Sequence, residues 1–346
     1  MEKIFIESGS YAKLQILNGI VRKEASKKGV GKLVDEINWI LNLPPELREH
    51  FPEIIRYDID SKIVFSEMKY YPMTTLRRLI LERKITVDEA LKQLEIIFDF
   101  MFYKLYKLSP EEDTTNLVED VYFNRAKNRI GEMCGLTPLF KKVINTKKII
   151  LNGKEFRQVL PILEELENDE ELKKILYPPC ISYIHGDLHL GNILVEKENP
   201  HAFILIDPRG RVYGGGMGGD YAYDLGKLWH SLNGFYDFIH EDKFTLNYYM
   251  DNDIINATLN IHEKENLRDY RLILEQIPAL LQKYEQIKKD PYWHERTLFS
   301  EVIHFCSMLP FHREGDNYEK KPLAIYLRSV ILLNEFLEVW NNAAKK

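Results

Sequence analysis

From Tyr183 to Val195 the chain reads YIHGDLHLGNILV, which places a carboxylate, two histidines and a carboxamide between apolar runs. Ile193-Leu194-Val195 reads as a short strand, Glu196–Pro200 as a polar turn, and Ala202–Ile206 as a second strand ending at Asp207. Paired as a hairpin, the end of the second strand returns to the start of the first. Asn192 and Asp207 then stand side by side, with Asp187 one loop away. Three oxygen-bearing side chains converging on one point suit a hard cation such as Mg2+ with substrate phosphates, not zinc.

The same arrangement assigns roles. Asp187 lies in a loop five residues before Asn192, so it can face an acceptor hydroxyl without ligating the metal. It orients that hydroxyl and takes its proton as a phosphoryl group transfers, a contribution of ~10²–10⁴-fold for a general base. Asn192 and Asp207 hold the magnesium that neutralises the β- and γ-phosphates of ATP or GTP. The HxDxH at His185–His189 also fits a metal-dependent hydrolase, but that reading needs further histidine or carboxylate ligands at comparable spacing, and none stand out. His189 reads as a loop residue.

The segment HGDLHLGN (His185–Asn192) resembles the catalytic-loop motif HGDxxxxN of the aminoglycoside phosphotransferase and choline kinase family, small-molecule kinases with a protein-kinase-like fold. IDPRG (Ile206–Gly210) stands where that family carries its metal-binding Asp. GDYAYDLGKL (Gly219–Leu228) resembles its following Asp-Leu segment, whose Asp, here Asp224, stabilises the catalytic loop. The resemblance implies an α+β, two-lobed fold with a small β-rich lobe at 1–70 and a larger, mainly helical lobe at 71–346. The second lobe would carry the catalytic loop, the metal site and the acceptor pocket. His185 supports the loop structurally.

The first seventy residues bear on this independently. Lys3–Glu7, Ala12–Leu17 and Ile20–Ala25 read as strands, with Asn18-Gly19 a two-residue hairpin turn. Lys32–Leu43 has helical spacing and stops at Pro44-Pro45; Ile54–Ile59 and Lys62–Met68 are two more strands. A kinase-like lobe needs a lysine on its third strand and a glutamate on the following helix. Lys23 and Glu36 occupy those places, Lys23 to grip the α- and β-phosphates and Glu36 to hold it. Ser8, Gly9 and Ser10 form the loop expected to cover phosphates, with one glycine where GxGxxG has three. The stretch 67–70, including Glu67 and Lys69, is the expected hinge, its backbone bonding adenine. Asp207 is followed by Pro208-Arg209-Gly210 and not by Phe-Gly, so no phenylalanine switch is expected. Arg209 either stabilises transition-state charge or binds an anionic acceptor.

Helices are expected from Thr74 onward. Thr86 to Glu89 reads as a capping box opening a helix to about Leu108. Further helices fall near Leu117–Cys134, Val159–Leu176, Tyr223–Leu232, Leu267–Lys288 and Tyr292–Ser307, with a last one from Pro322, and Asn152-Gly153 marks a small hairpin at Lys148–Phe156. Gly210–Gly219 holds six of the eighteen glycines and reads as a loop in the position of an activation segment. In SMLPFHREGD (Ser307–Asp316), His312 and Arg313 are candidates for binding a carboxylate, phosphate or sugar hydroxyl of the acceptor.

A chain of 346 residues is long enough for two lobes. Its net charge of −6 argues against a nucleic-acid partner. Cys134, Cys180 and Cys306 are too widely spaced for a zinc set or disulfide framework. No apolar run approaches the roughly 20 residues of a membrane helix, and the N-terminus lacks the apolar segment of a signal peptide. The expectation is a cytoplasmic small-molecule kinase using Mg2+ and ATP or GTP, with a sugar, aminoglycoside-like or choline-like acceptor. A catalytically silent kinase-like regulatory binder is disfavoured by the presence of Lys23, Asp187, Asn192 and Asp207. A protein kinase is disfavoured because Asp224 follows Asp207 by only seventeen residues, with no APE-type ending between them.

Overall fold

The computed structural model of the chain describes residues 4–7, 12–110, 114–212, 218–313 and 317–343. The chain forms two compact units, Met1–Asp113 with Cys180–Asp224, and Thr114–Pro179 with Leu225–Lys346. Residue 70, the expected lobe boundary, marks the end of a sheet; the unit holding that sheet also takes in 71–113 and 180–224.

The first unit is built on an antiparallel sheet of β1 (Ile4–Glu7), β2 (Ala12–Leu17), β3 (Ile20–Ser26), β4 (Ile54–Asp58) and β5 (Ile63–Lys69), in the order β1-β2-β3-β5-β4. Asn18 and Gly19 both have positive φ, 50° and 75°, as a two-residue turn between twisted strands requires. That turn fixes the register of β2 on β3, Leu14 opposite Lys23, and on its other side β3 pairs with β5, Lys23 opposite Ser66. Helix α1 (Val30–Asn42) lies between β3 and β4 in sequence and closes one face of the sheet, where Leu33 and Ile37 cluster with Ala25 and Val64. Arg48 secures the end of α1 by donating to the carbonyls of Leu41 and Leu43.

Beyond the sheet come β6 (Thr74–Thr75), α2 (Leu76–Leu81) and α3 (Val87–Tyr103). Both bonds of the Thr86/Glu89 capping box are present, so α3 starts where its sequence indicates. It stops at Tyr103, short of Leu108, because the chain tightens into a 3-10 turn over Leu105–Lys107. The strands Ile193–Glu196 and Asn199–Leu205 form the expected hairpin, Ile193 opposite Leu205, and the first also pairs with β6.

The second unit is largely helical, with its longest helices at Lys264–Leu281, Trp293–Met308 and Lys320–Ala343. The helix expected over Val159–Leu176 is two, Val159–Glu167 and Glu170–Leu176, because the Asp169 carboxylate accepts from the amides of Glu171 and Leu172 and starts a new helix. A long hairpin, Phe244–Asp251 with Ile254–Ile261, adds to the smaller one at Lys148–Phe156 to give a four-stranded sheet. The long hairpin is absent from the sequence expectations.

Candidate active site

Lys23, on β3, and Glu36, on the buried side of α1, form an ion pair at 2.5 Å with both side chains about nine-tenths buried. Sheet and helix packing sets this distance, since the cluster of Leu33 and Ile37 with Ala25 presses α1 onto β3 next to Lys23. Lys23 Nζ also reaches Asp207 Oδ1 at 3.0 Å. Burial by itself would favour the neutral amine. The facing carboxylates of Asp207 and Glu36 more than offset it, and the Lys23 pKa rises above the ordinary lysine value.

Asp207 lies two residues past the end of the hairpin's second strand, Asn199–Leu205. Its φ is +56°, a left-handed conformation for a residue with a side chain. The next residues return to α1. Gly210 has φ +76°, and a Cβ there would sit 2.3 Å from the backbone carbonyl of Asp35, so only glycine allows so close an approach. Arg211 stands 3.6 Å from the Asp35 carboxylate. The Asp207 loop and the helix bearing Glu36 are thus in direct backbone contact.

The loop before the hairpin is held from beneath. The buried Asp224 carboxylate accepts from the backbone amides of His185 at 2.8 Å and Gly186 at 2.7 Å, and from the Tyr106 hydroxyl at 3.0 Å. His185 donates from Nε2 to the carbonyl of Ile206 at 3.0 Å and accepts at Nδ1 from the Asp187 amide at 3.2 Å. That pattern requires the neutral Nε2–H tautomer, and it ties the residue before Asp207 to the backbone of Asp187. The His185 ring also stacks with Phe51, which meets Trp39 of α1 edge-on. Asn192 donates from Nδ2 to the Asp187 carbonyl at 2.9 Å, so its amide nitrogen is turned toward the loop. Ile206 N–H donates to Asn192 O at 2.9 Å, which puts Asn192 next to Asp207.

The structure therefore gathers Lys23, Glu36, His185, Asp187, Asn192, Asp207 and Asp224 within the first compact unit. Arg209 belongs to the same unit; its backbone amide donates to His185 O and its Nε to Arg211 O. Glu67 lies on β5 between β3 and β4, and its carboxylate is paired with Arg22 at 2.6 Å. The Lys69 amide donates to Glu53 O and the Tyr70 amide to Gly19 O, so these hinge donors are committed within the sheet. His312 and Arg313 lie in the second unit, where His312 Nε2 faces the Tyr236 hydroxyl at 2.9 Å and Nδ1 faces Met308 O at 3.0 Å. Ser8, Gly9 and Ser10 lie outside the described residues. Sequence reasoning did not find Tyr106 or the contact of Gly210 with α1. Neither carries a local signal, because both depend on partners more than a hundred residues away.

No protein-family model and no curated protein matches the chain. Solved structures do. The ADP-bound aminoglycoside phosphotransferase APH(2'')-Ib aligns at 15% identity over 96% of this chain and 94% of that one, with a TM-score of 0.50. The apo form of a thermostable mutant of aminoglycoside phosphotransferase APH(4)-Ia aligns at 12% identity over 97% and 94%, with a TM-score of 0.54. A putative fructosamine-3-kinase from Haemophilus somnus 129PT aligns at 12% identity over 97% of this chain and 91% of that one, with a TM-score of 0.50. These likenesses establish the fold as that of the protein-kinase-like phosphotransferases, α+β with a β-rich N-terminal region and a helical C-terminal part.

Proposed function

We propose that the chain is a magnesium-dependent phosphotransferase that moves the γ-phosphoryl group of ATP or GTP to a hydroxyl of a small molecule. The observation that carries this reading is the triad of Lys23, Glu36 and Asp207 beside the Asp187–Asn192 loop, all within one compact unit. Structures of the same fold hold ADP, and one holds ADP together with hygromycin B.

In this reading Lys23 releases Asp207 and turns to the α- and β-phosphates, while Glu36 keeps it aimed. Asp207 and the Asn192 carboxamide supply oxygen ligands of the kind Mg2+ takes alongside phosphate oxygens. When bound, the metal neutralises charge on the phosphates. Asp187 accepts the proton of the acceptor hydroxyl as the acceptor oxygen bonds to the γ-phosphorus. The bond from that phosphorus to the β-bridging oxygen breaks, and the products are a nucleoside diphosphate and a phosphate ester. Asp224 and His185 act on Asp187 only through the backbone they hold.

A thermal-shift comparison of ATP and GTP, each with and without Mg2+, tests the reading. At a hundredfold excess over its dissociation constant a ligand of the native state adds about 2.7 kcal/mol of apparent stability. A magnesium-dependent shift is expected; folded protein that gives none with either nucleotide at millimolar concentration would contradict the proposal.

A further inference from the structure

We infer that the acceptor is an anion, a hydroxyl compound bearing a phosphate or carboxylate group that the guanidinium of Arg209 reads; the inference rests on the phosphotransferase reading above. The Arg209 side chain runs over the start of the catalytic loop. Its Cβ and Cδ lie 2.8 and 3.5 Å from where a Cβ on Gly186 would stand, so it is in contact with the peptide preceding Asp187. The hydrogen bond from its backbone amide to His185 O, 2.8 Å, fixes the origin of the side chain. Among the described residues its guanidinium makes one hydrogen bond, Nε to Arg211 O at 3.2 Å. No described carboxylate stands within ion-pair distance of it, and the two terminal nitrogens are left with donors to offer.

The other charges near the loop point the same way. Arg77 Nη1 lies 3.2 Å from where a Cβ on Gly191 would stand, which brings a second guanidinium to the residue preceding Asn192. The neighbouring carboxylates are committed: Asp207 to Lys23, Asp35 to Arg211, and Asp224 to the loop amides. An acceptor carrying several ammonium groups would meet arginine beside Asp187, where these neighbouring carboxylates among the described residues already have partners. A phosphate or carboxylate would instead receive the planar donor fork that guanidinium presents to such groups. The committed carboxylates separate this site from one built to hold a polycation.

The test uses the whole chain saturated with Mg·AMP-PNP, which fills the γ-phosphate position, so that an added anion must bind beyond it. Wild type, Arg209→Gln and Arg209→Lys are titrated at constant ionic strength with sodium sulfate, glucose 6-phosphate, glucose and hygromycin B, and followed by thermal shift. Saturable stabilisation of the wild type by sulfate and glucose 6-phosphate, but not by glucose or hygromycin B, is expected. It should vanish in Arg209→Gln and persist weakened in Arg209→Lys, with AMP-PNP affinity changed by less than about threefold. Equal anion shifts in wild type and Arg209→Gln, a larger shift with hygromycin B, or no anion shift would overturn it. A loss of AMP-PNP affinity of about tenfold or more in Arg209→Gln would assign the residue to the donor and also overturn it. If Mg·AMP-PNP does not bind the wild type, the phosphotransferase reading fails by itself. The nucleotide-free titration then still decides whether an Arg209-dependent anion site exists.

Discussion

Lys23 faces two carboxylates, and the two contacts differ in kind. The pair with Glu36 is buried, whereas Asp207 is nearly half exposed at 46% of its side chain. Breaking a buried pair by removing one partner costs about 3–5 kcal/mol, mostly from the charge left behind. Lys23→Met should therefore destabilise the protein by about that amount, and adding Glu36→Leu should recover most of the stability without restoring nucleotide binding. Urea unfolding and nucleotide titration of the single and double variants check this; full rescue of binding would remove Lys23 from the proposed phosphate site. Gly210 makes a second residue-scale case. A methyl group there meets the Asp35 carbonyl at 2.3 Å, and the positive φ adds strain. Gly210→Ala should cost roughly 1–3 kcal/mol and weaken nucleotide binding by displacing α1; an unchanged unfolding midpoint would show that the contact carries no constraint.

At the scale of elements, the helix Trp293–Met308 buries Glu301 at 1% exposure. Its Oε2 accepts from Asn233 at 2.9 Å, while Oε1 has no partner among the described residues. Burial pushes this carboxyl up from 4.5 to about 8. A folded-state pKa above the unfolded one gives stability that is full below about 4.5 and is lost as pH rises through about 8. Glu301→Gln keeps the shape and the Asn233 bond without the charge, so its stability relative to wild type should rise across that window. Denaturant midpoints at both ends check it, and a constant difference would contradict it. Elements also show what could be read in advance. Asn18-Gly19 and the Thr86 capping box are local devices, and both formed where the sequence put them. The hairpin Phe244–Asp251/Ile254–Ile261 was legible too, in the alternation of Phe244, Leu246, Tyr248 and Met250 and in Asn252 at the turn, whose φ is +50°. It went unread because its turn lacks glycine and its setting is helical. Helix ends were less legible, since a 3-10 turn or an aspartate cap inside an apolar pattern leaves the periodicity intact.

At the scale of the molecule, hairpin return put Asn192 beside Asp207, the resemblance to small-molecule kinases implied the Lys23–Glu36 pair, and the structure joins all four in one unit. Around the expected hinge, Lys69 and Tyr70 direct their amides to Glu53 and Gly19, partners set by the closing of the sheet and not by local pattern. The central claim is that Asp187 serves the transfer of the phosphoryl group while Asp207 serves the binding of metal and nucleotide. The most direct measurement is calorimetric titration of ATP, with and without Mg2+, into wild type, Asp187→Asn and Asp207→Ala, beside the rate at which each hydrolyses ATP with water as acceptor. Asp187→Asn should keep magnesium-dependent affinity within about threefold and lose hydrolysis by ~10²-fold or more. Asp207→Ala should bind ATP equally with and without Mg2+. Equal loss of binding in both variants, or undiminished hydrolysis by Asp187→Asn, would contradict the account.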